Sequence, residues 1–140
     1  MKKIITSVFL FLLIPVFSCS RSQLQPEMWE GFAGDRMRVV ISEFFMPDEN
    51  NPDAIPHRLI KERVAQRGSL LLASYVNINL PREKVSPESD AVFNKLINDS
   101  ISASKLILSE CSENNFCTVI TDFDIAPVNR ELEKKIKSSE

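Results

Sequence analysis

Three cysteines, a single histidine and two closely spaced aspartates hold most of the chemistry available to this chain. Asp122 and Asp124 stand two apart in an apolar stretch. Alternate residues of a strand share a face, so this spacing would aim two carboxylates the same way. Such a pair could do acid–base work or hold a cation. A solvated position at a sheet edge or sheet end accounts for it more simply. His57 lies beside prolines at a helix start, with no second histidine for a His-based metal site. No G-x-S-x-G elbow occurs among the serines. The acids between Asp48 and Asp53 resemble a calcium loop only in part. Pro52 stands at the fifth ligand position, and the required glycine and closing glutamate are missing. Arg58, Lys61 and Arg67 form a small basic group that reads as a solvated helix face.

Cys19 has a different setting. Lys2 and Lys3 precede an apolar run from Ile4 to Phe17, interrupted by Thr6, Ser7 and Pro15. A basic start, a short apolar stretch and a small residue before the cut make a secretory signal. The run is shorter than the ~20 apolar residues of an ordinary transmembrane helix. Val16-Phe17-Ser18-Cys19 resembles a bacterial lipobox, with Phe17 bulkier than the usual residue there. That resemblance implies cleavage before Cys19, which receives a diacylglycerol through its sulfur, with an acylated new amine. Two or three acyl chains anchor stably, since each buried methylene contributes ~0.8 kcal/mol. Plain cleavage after Ser18 or Ser20 is the alternative. Ser20 follows the cysteine where aspartate would signal inner-membrane retention in the commonest sorting scheme. The outer membrane is therefore expected, with its periplasmic or surface face left open.

The domain plan follows: signal peptide 1–18, lipidated tether 19–28, and one domain 29–140, a size that suits a single core. Without Lys2 and Lys3, the 17 basic residues become 15 against 19 acidic ones. No segment is strongly basic, which argues against nucleic acid as a partner. Three glycines leave little material for a phosphate loop, and no cofactor is expected. With Cys19 spent on lipid, Cys111 and Cys117 remain. An even pair in an exported chain predicts a disulfide. Two buried thiols or a metal pair are the alternatives, and zinc would need further Cys or nearby His.

The elements that must position these residues can be read in order. Pro26-Glu27-Met28-Trp29 opens the domain, with Trp29 and Phe32 expected to cap one end of the core. Met37 to Met46 is an apolar-rich strand of central character, ended by Pro47. Pro56 suits the first turn of a helix carrying Ile60, Val64, Leu71, Leu72 and Tyr75. Gly68 lies on that stripe, where the helix backbone comes close to a neighbour. Val76, Ile78 and Leu80 alternate with asparagines, which predicts a short extended stretch before Pro81. Ser86-Pro87-Glu88 starts a second helix, expected to stop near Ala103. Lys105 to Cys111 then reads as a strand, although a helix running on to Glu110 also fits. A turn at Ser112–Asn115 leads into a strand from Phe116 to Asp124. Pro127 opens a last helix, with Val128, Leu132 and Ile136 as a narrow stripe against the sheet and lysines late in the helix. The expected fold is α+β, in the order β-α-α-β-β-α, with helices on one face of a small antiparallel or mixed sheet.

This pattern resembles the LPP-twenty lipoprotein family and the related N-terminal module of flagellar FlgT-type proteins. The residues that carry the resemblance are the entry Pro26-Glu27-Met28-Trp29, the small residues Ala65, Gly68 and Ala73, and Phe116-Cys117-Thr118-Val119-Ile120. Pro127-Val128 and Leu132 follow. The entry is one residue longer than usual, and Ile41-Ser42-Glu43 replaces the glycine-containing strand end. The resemblance implies a non-enzymatic envelope protein, in some members linked to flagellar motor accessories. Two functions compete: an anchored structural or protein-interaction module bound to an envelope protein, and a small ligand-binding or hydrolytic domain using Asp122 and Asp124.

Overall fold

The computed structural model describes residues 27–46 and 57–138. The expected signal peptide, Cys19, the expected tether up to residue 26, the Asp48–Asp53 loop and Pro56 lie outside the described residues.

The chain opens with a hairpin of β1 (Gly31–Ala33) and β2 (Arg36–Phe44). Gly34, at φ 59°, makes the tight turn between them, in the left-handed region open to glycine. Helix α1 (His57–Asn79), a single 3-10 turn at Arg82–Lys84 and helix α2 (Pro87–Ser102) follow. Strands β3 (Lys105–Cys111) and β4 (Phe116–Asp124) form the second hairpin, and α3 (Ala126–Lys137) closes the chain. The four strands make one antiparallel sheet in the order β1-β2-β4-β3. The architecture is the expected α+β arrangement with one added strand, β1. The Gly34-Asp35 turn was its signal.

Alternation sorts the sheet into two faces. Met37 and Val39 of β2 and Cys117, Val119 and Phe123 of β4 turn toward the helices and are buried. They meet Val64 and Leu72 of α1, Phe93 and Ile97 of α2, and Val128 and Leu132 of α3. Burying one such side chain fully contributes about 1.5–3 kcal/mol, so this layer dominates the stability of the fold.

Helix α1 buries Ile60, Val64, Gly68, Leu72 and Val76, one residue every fourth position. It runs through Val76–Asn79, where an extended stretch was expected. Ile78 is 82% exposed there, while Val76 and Leu80 are buried. The buried spacing is thus four residues, and the apparent alternation arose from one apolar residue facing solvent. At Gly68 an added Cβ would lie 2.8 Å from Ile101 Cδ1 and 3.0 Å from Phe123 Cζ. The missing side chain lets α1 approach both α2 and the sheet.

Helix α2 begins as expected. The Ser86 hydroxyl accepts from Ser89 N, and the Ser89 hydroxyl accepts from Ser86 N, so each satisfies an orphan donor of the helix start. It ends at Ser102, and Lys105–Cys111 is a strand. Helix α3 sends Val128 and Leu132 into the core shared with the sheet, as expected, while Ile136, the third residue of the expected stripe, remains 45% exposed. A polar hub ties it down: Asn129 Oδ1 accepts from Tyr75 Oη (2.9 Å), and Asn129 Nδ2 donates to Asp35 Oδ1 (2.8 Å).

Candidate functional site

The face of the sheet turned away from the helices carries Arg36, Arg38 and Val40 on β2, with Ile120, Asp122 and Asp124 opposite on β4. Arg38 and Asp122 are direct cross-strand partners. Arg38 Nε donates to Asp122 Oδ1 (2.6 Å) and Nη2 donates to Oδ2 (2.8 Å), a bidentate fork. Arg38 Nη1 also donates to the carbonyl of Glu27 (2.9 Å), fastening the entry of the domain to the sheet. Trp29 lies across both guanidinium groups, with its centroid 4.9 Å from Arg38 Cζ and 5.3 Å from Arg36 Cζ. The next cross-strand pair is Val40 and Ile120, and Ile120 is wholly buried. An ion pair beside that apolar patch is poorly screened.

The consequence for Asp122 is clear. Its carboxyl is held below the usual carboxylate range, first by the Arg38 hydrogen bond, against the opposing effect of burial, and then by the charges of Arg38, Arg36 and Lys105. The Arg38 guanidinium is correspondingly raised above its ordinary value. A carboxylate so held is a fixed anion and a poor proton shuttle.

Asp124 is used separately. Its Oδ1 accepts from Ala126 N (2.9 Å), satisfying a donor at the start of α3. Asp122 and Asp124 do share a face, as alternation requires, but β4 is an inner strand. The expected solvated edge therefore fails for Asp122, whose side chain is only 12% exposed. It holds for Asp124, which is exposed at the strand end. Trp29 departs from expectation by covering the arginines on the face opposite the core, whereas Phe32 stacks at 4.4 Å on Tyr75, which packs against the core, and stays 38% exposed. Arg38 is the residue sequence reasoning passed over. In the strand it alternates with core residues, so it reads as a wet-face cation. Its only sequence signal is an acid at the matching place in another apolar strand.

Cys111 and Cys117 are joined by a disulfide, with S–S 2.04 Å. They are direct cross-strand partners at the base of the β3–β4 turn. The turn closes by bonds from Asn115 N to Ser112 O (3.0 Å) and Ser112 N to Phe116 O (2.9 Å). Asn115 takes φ 61°, a conformation asparagine tolerates better than most residues. Beyond the bridge, Phe44 and Phe116 meet edge to face at 4.9 Å, and Phe44 is 68% exposed.

The other residues singled out by sequence stay apart. His57 is exposed at the first position of α1. Arg58 pairs with Glu62 along the helix, and Arg67 reaches Glu30 at 2.6 Å. Among the described residues, no three His, Cys, Asp or Glu side chains are grouped to hold a metal ion. None of the described helices is long and apolar enough to cross a membrane. Comparison with protein-family models, with curated proteins and with solved structures finds no match.

Proposed function

We propose that this chain is a lipid-anchored bacterial envelope protein, with a folded part that acts as a protein-interaction module and not as an enzyme. The observation that carries the reading is the sequence from Lys2 to Cys19: a basic start, a short apolar run, and a cysteine directly after Ser18. The outer membrane is the proposed location, on the strength of Ser20. The likeness to the LPP-twenty and FlgT-type proteins belongs to the same proposal and rests on the residues that carry it.

Three features of the domain support the reading. The Cys111–Cys117 bridge suits an oxidising compartment outside the cytoplasm. Both aspartates offered for acid–base chemistry have structural duties, Asp122 to Arg38 and Asp124 to Ala126. The domain entry is fastened beside Arg38, while the exposed Phe44 and Phe116 lie at the other end of the strands. A tether leaving the Arg38 end would hold those aromatics away from the membrane.

The test is the intact mass of the protein taken from its native membrane, beside a Cys19→Ala variant. The expected result is a wild-type mass raised by acyl groups and a variant without them. An unmodified cleaved terminus in the wild type would overturn the anchor. A tagged domain should then recover a defined envelope protein, and repeated clean recoveries without one would overturn the interaction role.

A further inference from the structure

Strand β2 pairs with β4 along its whole length but with β1 only from Arg36 to Arg38. From Val40 to Phe44 its other edge carries no strand among the described residues. Even-numbered residues turn their main-chain groups to that edge, because Arg36 and Arg38 do so toward β1 and strand hydrogen bonding alternates. Glu30 Oε2 accepts from Val40 N at 3.2 Å. The carbonyls of Val40, Ser42 and Phe44 and the N–H groups of Ser42 and Phe44 face outward. An edge of this kind is a template for another strand.

Helix α1 flanks the same edge. Leu59, Arg63, Gln66 and Leu70 recur at intervals of four, three and four, so they form one stripe. Two contiguous hollows run between stripe and strand and share Glu43, Arg63 and Gln66 at their junction. Leu70 lies at the Val40 end and Leu59 at the Met46 end. Leu59 is 46% exposed and Leu70 60% exposed.

The spacing of the stripe is the same in both directions, and reversal brings several matched or complementary residues together. Reversing the stripe about its midpoint sets Leu59 against Leu70 and Arg63 against Gln66. The same reversal sets Glu62 against Arg67, an opposite-charge match. Reversing the strand about Ser42 sets Val40 against Phe44 and Ile41 against Glu43, and keeps the two Glu43 carboxylates from facing each other. Both midpoints fall near the junction of the hollows, so one two-fold axis serves strand and helix together. Self-complementarity about a two-fold axis is what a symmetric dimer interface requires.

The geometry points to a second copy of this chain as the occupant of the edge. Two β2 strands pair antiparallel about Ser42, joining two four-stranded sheets into one continuous sheet, while the α1 stripes pack across the axis. The Ser42 groups, the Val40 carbonyl and the Phe44 N–H make the new ladder, leaving Glu30 on Val40. This dimer goes beyond the proposed function and does not rest on the lipid anchor.

The test is oxidative cross-linking of the full chain carrying Ser42→Cys, read on a non-reducing gel from whichever fraction holds the protein. Residues directly opposed in a hydrogen-bonded antiparallel pair have Cα atoms about 5.5 Å apart, within disulfide reach. Asn77→Cys, at an exposed position elsewhere on α1, reports random collision. The expected result is a reductant-sensitive band at twice the chain mass for Ser42→Cys and none for Asn77→Cys. Adding Leu70→Glu to Ser42→Cys should lower that band at least tenfold. The dimer is overturned by equal cross-linking of the two cysteine variants, by none in either, by indifference to Leu70→Glu, or by a product containing a different protein. The anchor is judged by mass alone, so the two proposals fail separately.

Discussion

Arg38 and Asp122 are 84 positions apart in sequence and opposite each other in the sheet, joined by two hydrogen bonds of 2.6 and 2.8 Å. The Arg38 side chain is 7% exposed and the Asp122 side chain 12% exposed. A pair this sheltered is far more sensitive to the loss of one member than of both. Removing one charge strands the other, at a cost of about 3–5 kcal/mol for a buried pair, while replacing both with apolar residues of similar volume is often neutral. Arg38→Met alone should therefore cost about 3 kcal/mol in urea unfolding. Arg38→Met with Asp122→Leu should recover most of that loss. Equal losses in single and double variants would show that the fork contributes nothing specific.

The same pair sets an acid limit. The folded Asp122 carboxyl titrates below its unfolded value of about 4. Its contribution is therefore complete above pH ~4 and is lost as pH falls through the lower folded value. Unfolding followed by circular dichroism from pH 6 down to pH 2 should show a steeper acid decline in the wild type than in the double variant. Parallel curves would remove Asp122 as a source of acid sensitivity.

At Gly68 the constraint is steric. An added Cβ meets the flexible tip of Ile101 and the ring of Phe123, which is 1% exposed. Alanine gains about 1 kcal/mol of helix propensity over glycine and loses a similar amount to the contact with Phe123. Gly68→Ala should thus change stability little. Gly68→Val adds bulk that neither neighbour can clear, and overpacking of this kind costs about 1–3 kcal/mol. Thermal unfolding of the two variants gives the comparison, and a valine variant as stable as the wild type would contradict the close approach.

The Cys111–Cys117 bridge closes a short loop, and the chain-entropy argument gives it about 2 kcal/mol. Cys111→Ala with Cys117→Ala should lower the unfolding free energy by about that amount and leave the far-ultraviolet spectrum unchanged. Reductant should destabilise the wild type similarly and have no effect on the variant. Insensitivity of the wild type to reductant would mean the bridge adds no stability.

Much of the fold was legible because burial and periodicity agreed. Phe116–Asp124 alternates strictly on its core face, and the Ser86 cap leaves little choice of helix start. The reading failed where one residue type served two masters. Ile78 imitated a strand because an exposed isoleucine carries the same letter as a buried one. Strand β1 is three residues long, too short for any period to show, and only the Gly34-Asp35 turn marked it. In the candidate site the disulfide was legible from cysteine count and the hairpin. Arg38 was not, because the burial of a cation depends on a carboxylate that the sequence places 84 residues later.

That long interval also sets the order in which the fold can close. Strand β4, which covers one whole edge of β2, is reached only after two helices and β3. Contacts between residues so far apart form late, because the long loop between them must first be closed, while α1 and α2 can form from local contacts. The sheet is therefore the last part to assemble, and its closure is the step that commits the chain. A product ended before Phe116 would hold a hairpin and two helices with no inner strand to join them. Until β4 docks, Met37, Val39, Val40 and Ile41 lack the strand that covers them, and a factor that shields β2 in that interval would raise the yield of folded protein without changing its final stability.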